Sequence, residues 1–233
     1  MTWKVIIQGD QEDLRLLERT FNDDPKIIHD EAENRFYLKS RAFEDLTTAS
    51  EVWSQAQNIV KTLCGILELN HGLFEDITTG AVYEVDNGKS VTIKTDTVQM
   101  HGAPELREEL GLPEPDVFDE EILLALKSDD DAVQELLLLW ERGDSWANLY
   151  KILEFIEEEL SEDVDEAGWI SSSNRKNFRR TANDKKIIGL DARHASTEGR
   201  SSPTQPMSHS DARSLIHSVS IKWLEQKSNE GDS

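Results

Sequence analysis

The chain has 233 residues, of which 47 are acidic and 25 basic, giving a formal net charge of −22. Hydrophobic residues make up 37%, enough for the core of one large domain or two small ones. The longest apolar run, Leu136 to Trp140, falls well short of the roughly 18 residues that a membrane span needs. A single cysteine, Cys64, excludes an internal disulfide, and the start of the chain lacks a signal-peptide pattern. These features predict a cytoplasmic protein with no membrane partner.

The charges are segregated along the chain. Residues 104–168 carry 22 acidic and 4 basic side chains, whereas residues 169–227 carry 5 acidic and 11 basic ones. A basic segment directly after an acidic one indicates either that the two clasp each other or that the basic one holds an anionic ligand. The sequence leaves both explanations open.

The first hundred residues predict an α+β domain over 1–101. Their elements are a strand Trp3–Gln8, a helix Gln11–Phe21 capped by Asp10, strands Lys26–Asp30 and Arg35–Ser40, a helix capped by Thr48 and Glu51 with an apolar stripe to Leu69, and strands Ala81–Val85 and Ser90–Val98. The order β-α-β-β-α-β plus one strand is that of a ferredoxin-like two-layer sandwich, with two helices on one face of an antiparallel sheet.

The rest of the chain predicts an all-α domain. Its expected parts are an acidic Pro-rich linker at 102–118, a helical domain at 119–227 and a disordered tail at 228–233. Within the domain we expect helices near 119–128, 130–142, 144–160 and 211–227. Residues 169–209 show no clear periodicity and predict a long basic loop, which is unusual inside a domain unless the loop is functional.

A basic run in this loop is the first candidate site. Arg175, Lys176, Arg179 and Arg180 suit an anion such as a phosphate backbone, and the interleaved Phe178 could stack on a base. The alternative is charge balance against the acidic segment.

An adjacent arginine and histidine, Arg193 and His194, form the second candidate. The guanidinium could bind a phosphate while the imidazole acts as acid or base near neutral pH. The alternative is a structural arginine beside an exposed histidine. Two weaker candidates are Trp146 with Tyr150, which we interpret as core, and the i, i+4 pair Arg213 and His217, which we interpret as a surface pair.

Motifs for common cofactors, metals and nucleophiles are missing from the sequence. It contains no Gly-rich phosphate loop followed by Lys-Ser/Thr, no G-x-S-x-G, no H-E-x-x-H and no C-x-x-C. We therefore expect neither a cofactor nor a metal.

Residues 144–227 resemble the small helical domains called HEPN. The resemblance rests on Asp144-Ser145-Trp146-Ala147-Asn148-Leu149-Tyr150-Lys151, Phe178-Arg179-Arg180-Thr181-Ala182-Asn183, Ala192-Arg193-His194-Ala195, and Pro206-Met207-Ser208 before a helix ending at Trp223-Leu224. It implies a metal-independent ribonuclease that acts as a dimer in phage defence or toxin systems, with Arg193 and His194 as the catalytic pair. In that family several residues separate the arginine from the histidine, whereas here they are adjacent.

Binding is therefore the preferred function. We expect a bacterial binding or adaptor protein of a phage-defence or stress system that holds RNA, a nucleotide or an acidic protein segment at the basic loop. The alternatives are a HEPN-type ribonuclease and an acidic nucleic-acid mimic. We also expect a homodimer through the helical part, because Leu136 to Trp140 is apolar on all sides of its helix.

Overall fold

The protein is described by a computed structural model that covers residues 2–71, 77–85, 89–91, 130–189, 192 and 205–231. The chain divides into two compact units, Met1–Phe118 and Asp119–Ser233, and each is described by itself. The predicted linker 102–118, the predicted helix 119–128 and most of the predicted strand Ser90–Val98 lie outside the described residues.

The N-terminal unit follows the predicted order of strands and helices. Its elements are β1 Trp3–Gln8, α1 Gln11–Thr20, β2 Lys26–Asp30, β3 Arg35–Lys39, α2 Ala49–His71, β4 Thr78–Glu84 and β5 Lys89–Val91. Both predicted helix caps are confirmed. The Asp10 carboxylate accepts from the amides of Glu12 and Asp13, while Glu51 and Thr48 cap each other's backbone amides at 3.0 and 3.3 Å.

Within the described residues, five strands form one antiparallel sheet in the order β2-β3-β1-β4-β5. Alternate residues of β1 and its neighbours turn to one face and are buried there, as at Val5, Ile7, Leu38 and Val82. The buried stripes of α1 and α2 complete this core, with Leu14, Leu17, Val60, Leu63 and Leu67 among their buried side chains. The mixed α+β class is therefore confirmed.

Strand β4 begins three residues before the predicted Ala81. The added residues include Gly80, which lies where the pairing register with β1 shifts between Val5 and Ile7. A Cβ at this glycine would lie 3.2 Å from the Ile6 Cβ, so the close approach of the two strands favours a residue without a side chain.

The helical unit contains α3 Asp131–Trp140, α4 Trp146–Leu160, α5 Ser172–Ala182, the short α6 Lys185–Ile188 and α7 His209–Gly231. Its core is apolar and rich in aromatic side chains, including Leu136, Trp140, Leu149, Leu153, Ile156, Phe178, Ile216 and Trp223. Ser145 caps α4 by accepting from the Asn148 amide. Helices in this part of the chain are confirmed.

Two predictions for the helical unit are wrong. The long loop expected at 169–209 contains α5 and α6, and the tail expected at 228–233 continues α7 as far as Gly231. Polar side chains stabilise this last turn, since Ser228 and Asn229 both donate to the Glu225 carbonyl. Neither segment has the apolar periodicity on which the prediction depended.

The apolar run of α3 is largely buried within one chain. Leu136, Leu137 and Trp140 have no exposed surface, while Leu138 and Leu139 are half-buried. The homodimer stays a prediction. In the described part of the chain, no helix has the length and apolar character to cross a membrane.

Candidate anion-binding site

Helix α5 carries the basic run predicted as an anion site. Ser171 caps it by accepting from the Asn174 amide. Its four cations form two i, i+4 pairs, and each pair lies on one side of a helix. Arg175 and Arg179 are partly buried, whereas Lys176 and Arg180 are exposed. The structure therefore separates residues that are neighbours in sequence.

Arg175 is held by three carboxylates. Its Nε lies 2.6 Å from a Glu157 oxygen and 3.3 Å from Asp165, and its Nη2 pairs with Asp163. Only 13% of the Arg175 side chain is exposed. Glu157 comes from α4, and the two aspartates come from the acidic turn between α4 and α5. This turn therefore contacts the guanidinium through both aspartates.

Arg179 continues the same contact one turn later. Its Nε donates to the Tyr150 hydroxyl at 3.0 Å, and its Nη1 lies 3.5 Å from the second oxygen of Glu157. We call Arg175 and Arg179 the clasped face of α5. The sequence left two explanations for the basic segment, a clasp with the acidic segment and a site for an anion. The contacts of Arg175 and Arg179 agree with the clasp.

The clasp shifts the pKa values of its members in the direction that keeps them charged. The hydrogen bond to Glu157 raises the pKa of Arg175, although burial opposes it. A hydrogen bond from the Ser172 side chain lowers the pKa of Asp165, and the nearby charge of Arg175 adds to that effect. Three carboxylates surround the two guanidinium groups, so this face presents no excess positive charge to a ligand.

Phe178 does not lie on the surface, so the prediction that it could stack on a base is wrong. Its side chain is fully buried, with ring centroids 6.1 Å from Trp146 and 6.0 Å from Tyr150 at small interplanar angles. The interpretation of Trp146 and Tyr150 as core residues is confirmed. These three rings anchor α5 to α4 beneath the arginine contacts.

A second side of α5 points to solvent. Lys176 and Arg180 are exposed there, and Lys185 and Lys186 are exposed at the start of α6. The turn between the helices is fixed by Asp184, whose carboxylate accepts from the Lys186 amide at 2.9 Å. We call Lys176, Arg180, Lys185 and Lys186 the outer basic face.

The N-terminus of α7 is tied to the α3–α4 turn, a contact that sequence reasoning missed. Arg213 Nε lies 3.4 Å from an Asp144 oxygen, and the guanidinium lies 5.6 Å from the Trp140 ring. His209 Nε2 is 2.8 Å from the Asp144 carbonyl oxygen. His217 packs edge-on against Trp140, so Arg213 and His217 are half-buried and not the exposed pair that we expected. This cluster joins two elements of the fold.

The predicted catalytic pair, Arg193 and His194, lies outside the described residues. The chain on one side of them is nevertheless fixed: the Met207 amide donates to the Thr181 hydroxyl at 3.1 Å, beside the C-terminal end of α5. Among the described residues, no group of histidine, cysteine and carboxylate side chains could hold a metal ion.

No protein-family model matches the chain, and neither the curated proteins nor the solved structures contain a match to it.

Proposed function

We propose that this protein is a binding or adaptor protein whose helical unit holds an anionic ligand on the outer basic face. One observation supports this most strongly: carboxylates surround Arg175 and Arg179, whereas Lys176 and Arg180 on another side of α5, and Lys185 and Lys186 at the start of α6, are exposed. The clasp explains Arg175 and Arg179 and leaves the outer basic face as the place for a ligand.

We also propose a ferredoxin-like sandwich with one added edge strand for the N-terminal unit, and the HEPN-like plan for the helical unit. The first is supported by the central position of β1 between β3 and β4, with β2 beside β3 and β5 at the other edge. The second is supported by the sequence pattern over 144–227. Folds of this kind host many functions, so the ligand must be argued from the site itself.

The chemistry of the outer basic face favours recognition by charge. Its four side chains are long and exposed, and Phe178, the aromatic residue within the basic run, is buried. Such a face suits a phosphate chain or an acidic polypeptide, and its affinity should fall steeply with salt.

The test compares two double variants of the full chain. Lys176→Gln/Arg180→Gln alters the outer basic face, and Arg142→Gln/Lys151→Gln removes two exposed cations elsewhere in the same unit. Fluorescence anisotropy with a labelled RNA oligonucleotide and with a labelled polyglutamate peptide measures binding at low salt. We expect the first variant to weaken binding of at least one probe about tenfold or more and the second to change it less than twofold. Equal effects of the two variants, or no binding of either probe, would reject the proposal.

The ribonuclease alternative uses the same samples. The hydrogen bond from the Met207 amide to Thr181 fixes the chain that follows Arg193 and His194 to the C-terminal end of α5. Cleavage of the RNA without added metal, lost in Arg193→Ala and in His194→Ala, would establish the alternative. Uncut RNA that is nevertheless bound would favour the adaptor.

A further inference from the structure

The sheet of the N-terminal unit has a second face, away from α1 and α2. Its residues follow from the pairing register, because side chains alternate between the two faces of a sheet. Val5 pairs with Leu38 and Ile27 pairs with Leu38, all buried on the inner side. The other face is here called the solvent face, although Ile6 and Tyr37 at its centre are buried. It takes the alternate positions: Lys4, Ile6 and Gln8 of β1, Lys26, Ile28 and Asp30 of β2, Arg35, Tyr37 and Lys39 of β3, and Tyr83 of β4.

Three lysines form a row across this face. Lys26 lies directly opposite Lys39, and one residue beyond the Val5–Leu38 pair the register brings Lys4 beside Lys39. Like charges directly opposite each other destabilise a sheet. Lys26 is exposed, while Lys4 and Lys39 are half-buried. We call Lys4, Lys26 and Lys39 the lysine row. Repulsion between their charges is unfavourable for folding, and a bound anion would reduce it.

An aromatic pair lies at the end of the lysine row. Tyr83 is the direct partner of Lys4, and its ring stands edge-on to Tyr37 at a centroid distance of 5.9 Å. The Lys4 ammonium lies 3.7 Å from the Tyr37 ring centre and 5.5 Å from that of Tyr83. Lys4 therefore covers Tyr37, which is 3% exposed, whereas Tyr83 is half-buried. Tyr83 is the ring within reach of a ligand.

Two acids at the far end of this face are engaged in the β2–β3 turn, whereas Asp23, Asp24 and Glu44 line a pocket together with Lys26 and Lys39. Asp30 accepts from the amides of Ala32 and Glu33, and Glu33 binds both Arg35 and the Tyr37 hydroxyl. Residues 1–103 carry a net charge of −8, yet the strand positions of the solvent face hold four cations and one acid. The charge of the face is thus opposite to that of the segment that builds it.

We propose that the solvent face binds single-stranded nucleic acid, with phosphates along the lysine row and a base against Tyr83. The row supplies cations at the spacing of neighbouring strands, about 5 Å, and the tyrosine supplies a flat ring at its end. An acidic peptide would use the lysines but not the ring. A duplex keeps its bases stacked away from the ring, so single strands are the better fit.

The experiment measures fluorescence anisotropy of a labelled 15-nucleotide single strand with the full chain, over a range of salt concentrations. Lys26→Gln/Lys39→Gln is compared with Arg15→Gln/Lys61→Gln, which removes two exposed cations from α1 and α2 of the same unit. The first variant should weaken binding at least tenfold and lower the slope of log affinity against log salt by about 1.4, since each phosphate contact to a single strand contributes about 0.7. The second variant should leave both the affinity and the slope nearly unchanged. Tyr83→Leu should weaken binding about tenfold and leave the slope unchanged, because stacking carries no counterion release.

Three results would overturn the proposal. One is an equal loss of affinity in Lys26→Gln/Lys39→Gln and in Arg15→Gln/Lys61→Gln, which would mean that binding depends only on the net charge. Another is an unchanged affinity in Tyr83→Leu together with equal binding of a 15-base-pair duplex, which would mean that no base is contacted. The third is a loss of affinity in Lys176→Gln/Arg180→Gln alone, which would place the single-stranded nucleic acid on the outer basic face. This result would support the proposed function while rejecting the sheet site.

Discussion

The two faces of α5 both carry cationic residues, but the surroundings of these residues differ. Arg175 and Arg179 are surrounded by carboxylates and by the Tyr150 hydroxyl, whereas Lys176 and Arg180, each one position further along, are exposed. A rotation of about 100° per residue is enough to separate a structural cation from a surface one. The net charge of a segment therefore does not reveal how many of its cations can meet a ligand.

The largest effect on stability should come from the anchor beneath the clasped face. We expect Phe178→Ala to lower the free energy of unfolding by about 3–5 kcal/mol, because it removes a fully buried ring between Trp146 and Tyr150. Phe178→Leu keeps most of the volume and should cost less than half as much. Urea unfolding followed by tryptophan fluorescence measures both. A loss below about 1 kcal/mol for the alanine variant would mean that α5 is not anchored by this ring.

The next effect should come from the clasp itself. We expect Arg175→Gln to lower the free energy of unfolding by about 2 kcal/mol, since it removes the nearest cation of Glu157 and Asp165, which are both largely buried. Lys176→Gln changes the neighbouring exposed position and should cost under about 0.5 kcal/mol. The same unfolding measurement compares the two variants. Similar losses at both positions would erase the distinction between the faces.

The sequence could predict those elements that bury a regular pattern of apolar side chains. Strand β1 and the capped start of α2 follow from periodicity and capping residues, and the structure places both as expected. Helix α5 could not be predicted in this way, because Phe178, Thr181 and Ala182 are its only buried residues among those described. Its position depends on ion pairs with residues 10 to 22 positions earlier in the chain, which no local pattern displays.

The candidate site was predicted in part. The residue types of the basic run were sufficient to locate it, but not to divide it into a clasped and an outer face. One signal was available: the arginines Arg175 and Arg179 are four apart, as are Lys176 and Arg180. A helical reading of 172–182 would have placed the pairs on different sides. The sequence had offered the clasp and the ligand as alternatives, and the two faces of one helix allow both.

Acid provides the finest test of the comparison, because the carboxylates described beside α5 contact its clasped face. The pKa of Asp165 is lowered in the folded protein by the Ser172 hydrogen bond and by Arg175. When the pH falls through about 4, the unfolded chain takes up a proton at this position before the folded chain does, so the stabilisation present at neutral pH is lost below about pH 4. We therefore expect the difference in urea midpoint between the wild type and Asp165→Asn to shrink steadily from pH 5 to pH 3.

Glu158→Gln, which removes an exposed acid from α4, controls for the loss of one charge. Lys176→Gln/Arg180→Gln should follow the wild-type dependence on pH, and Arg175→Gln should show a weaker one. A constant difference between the wild type and Asp165→Asn across this range would contradict the role of Asp165 in the clasp.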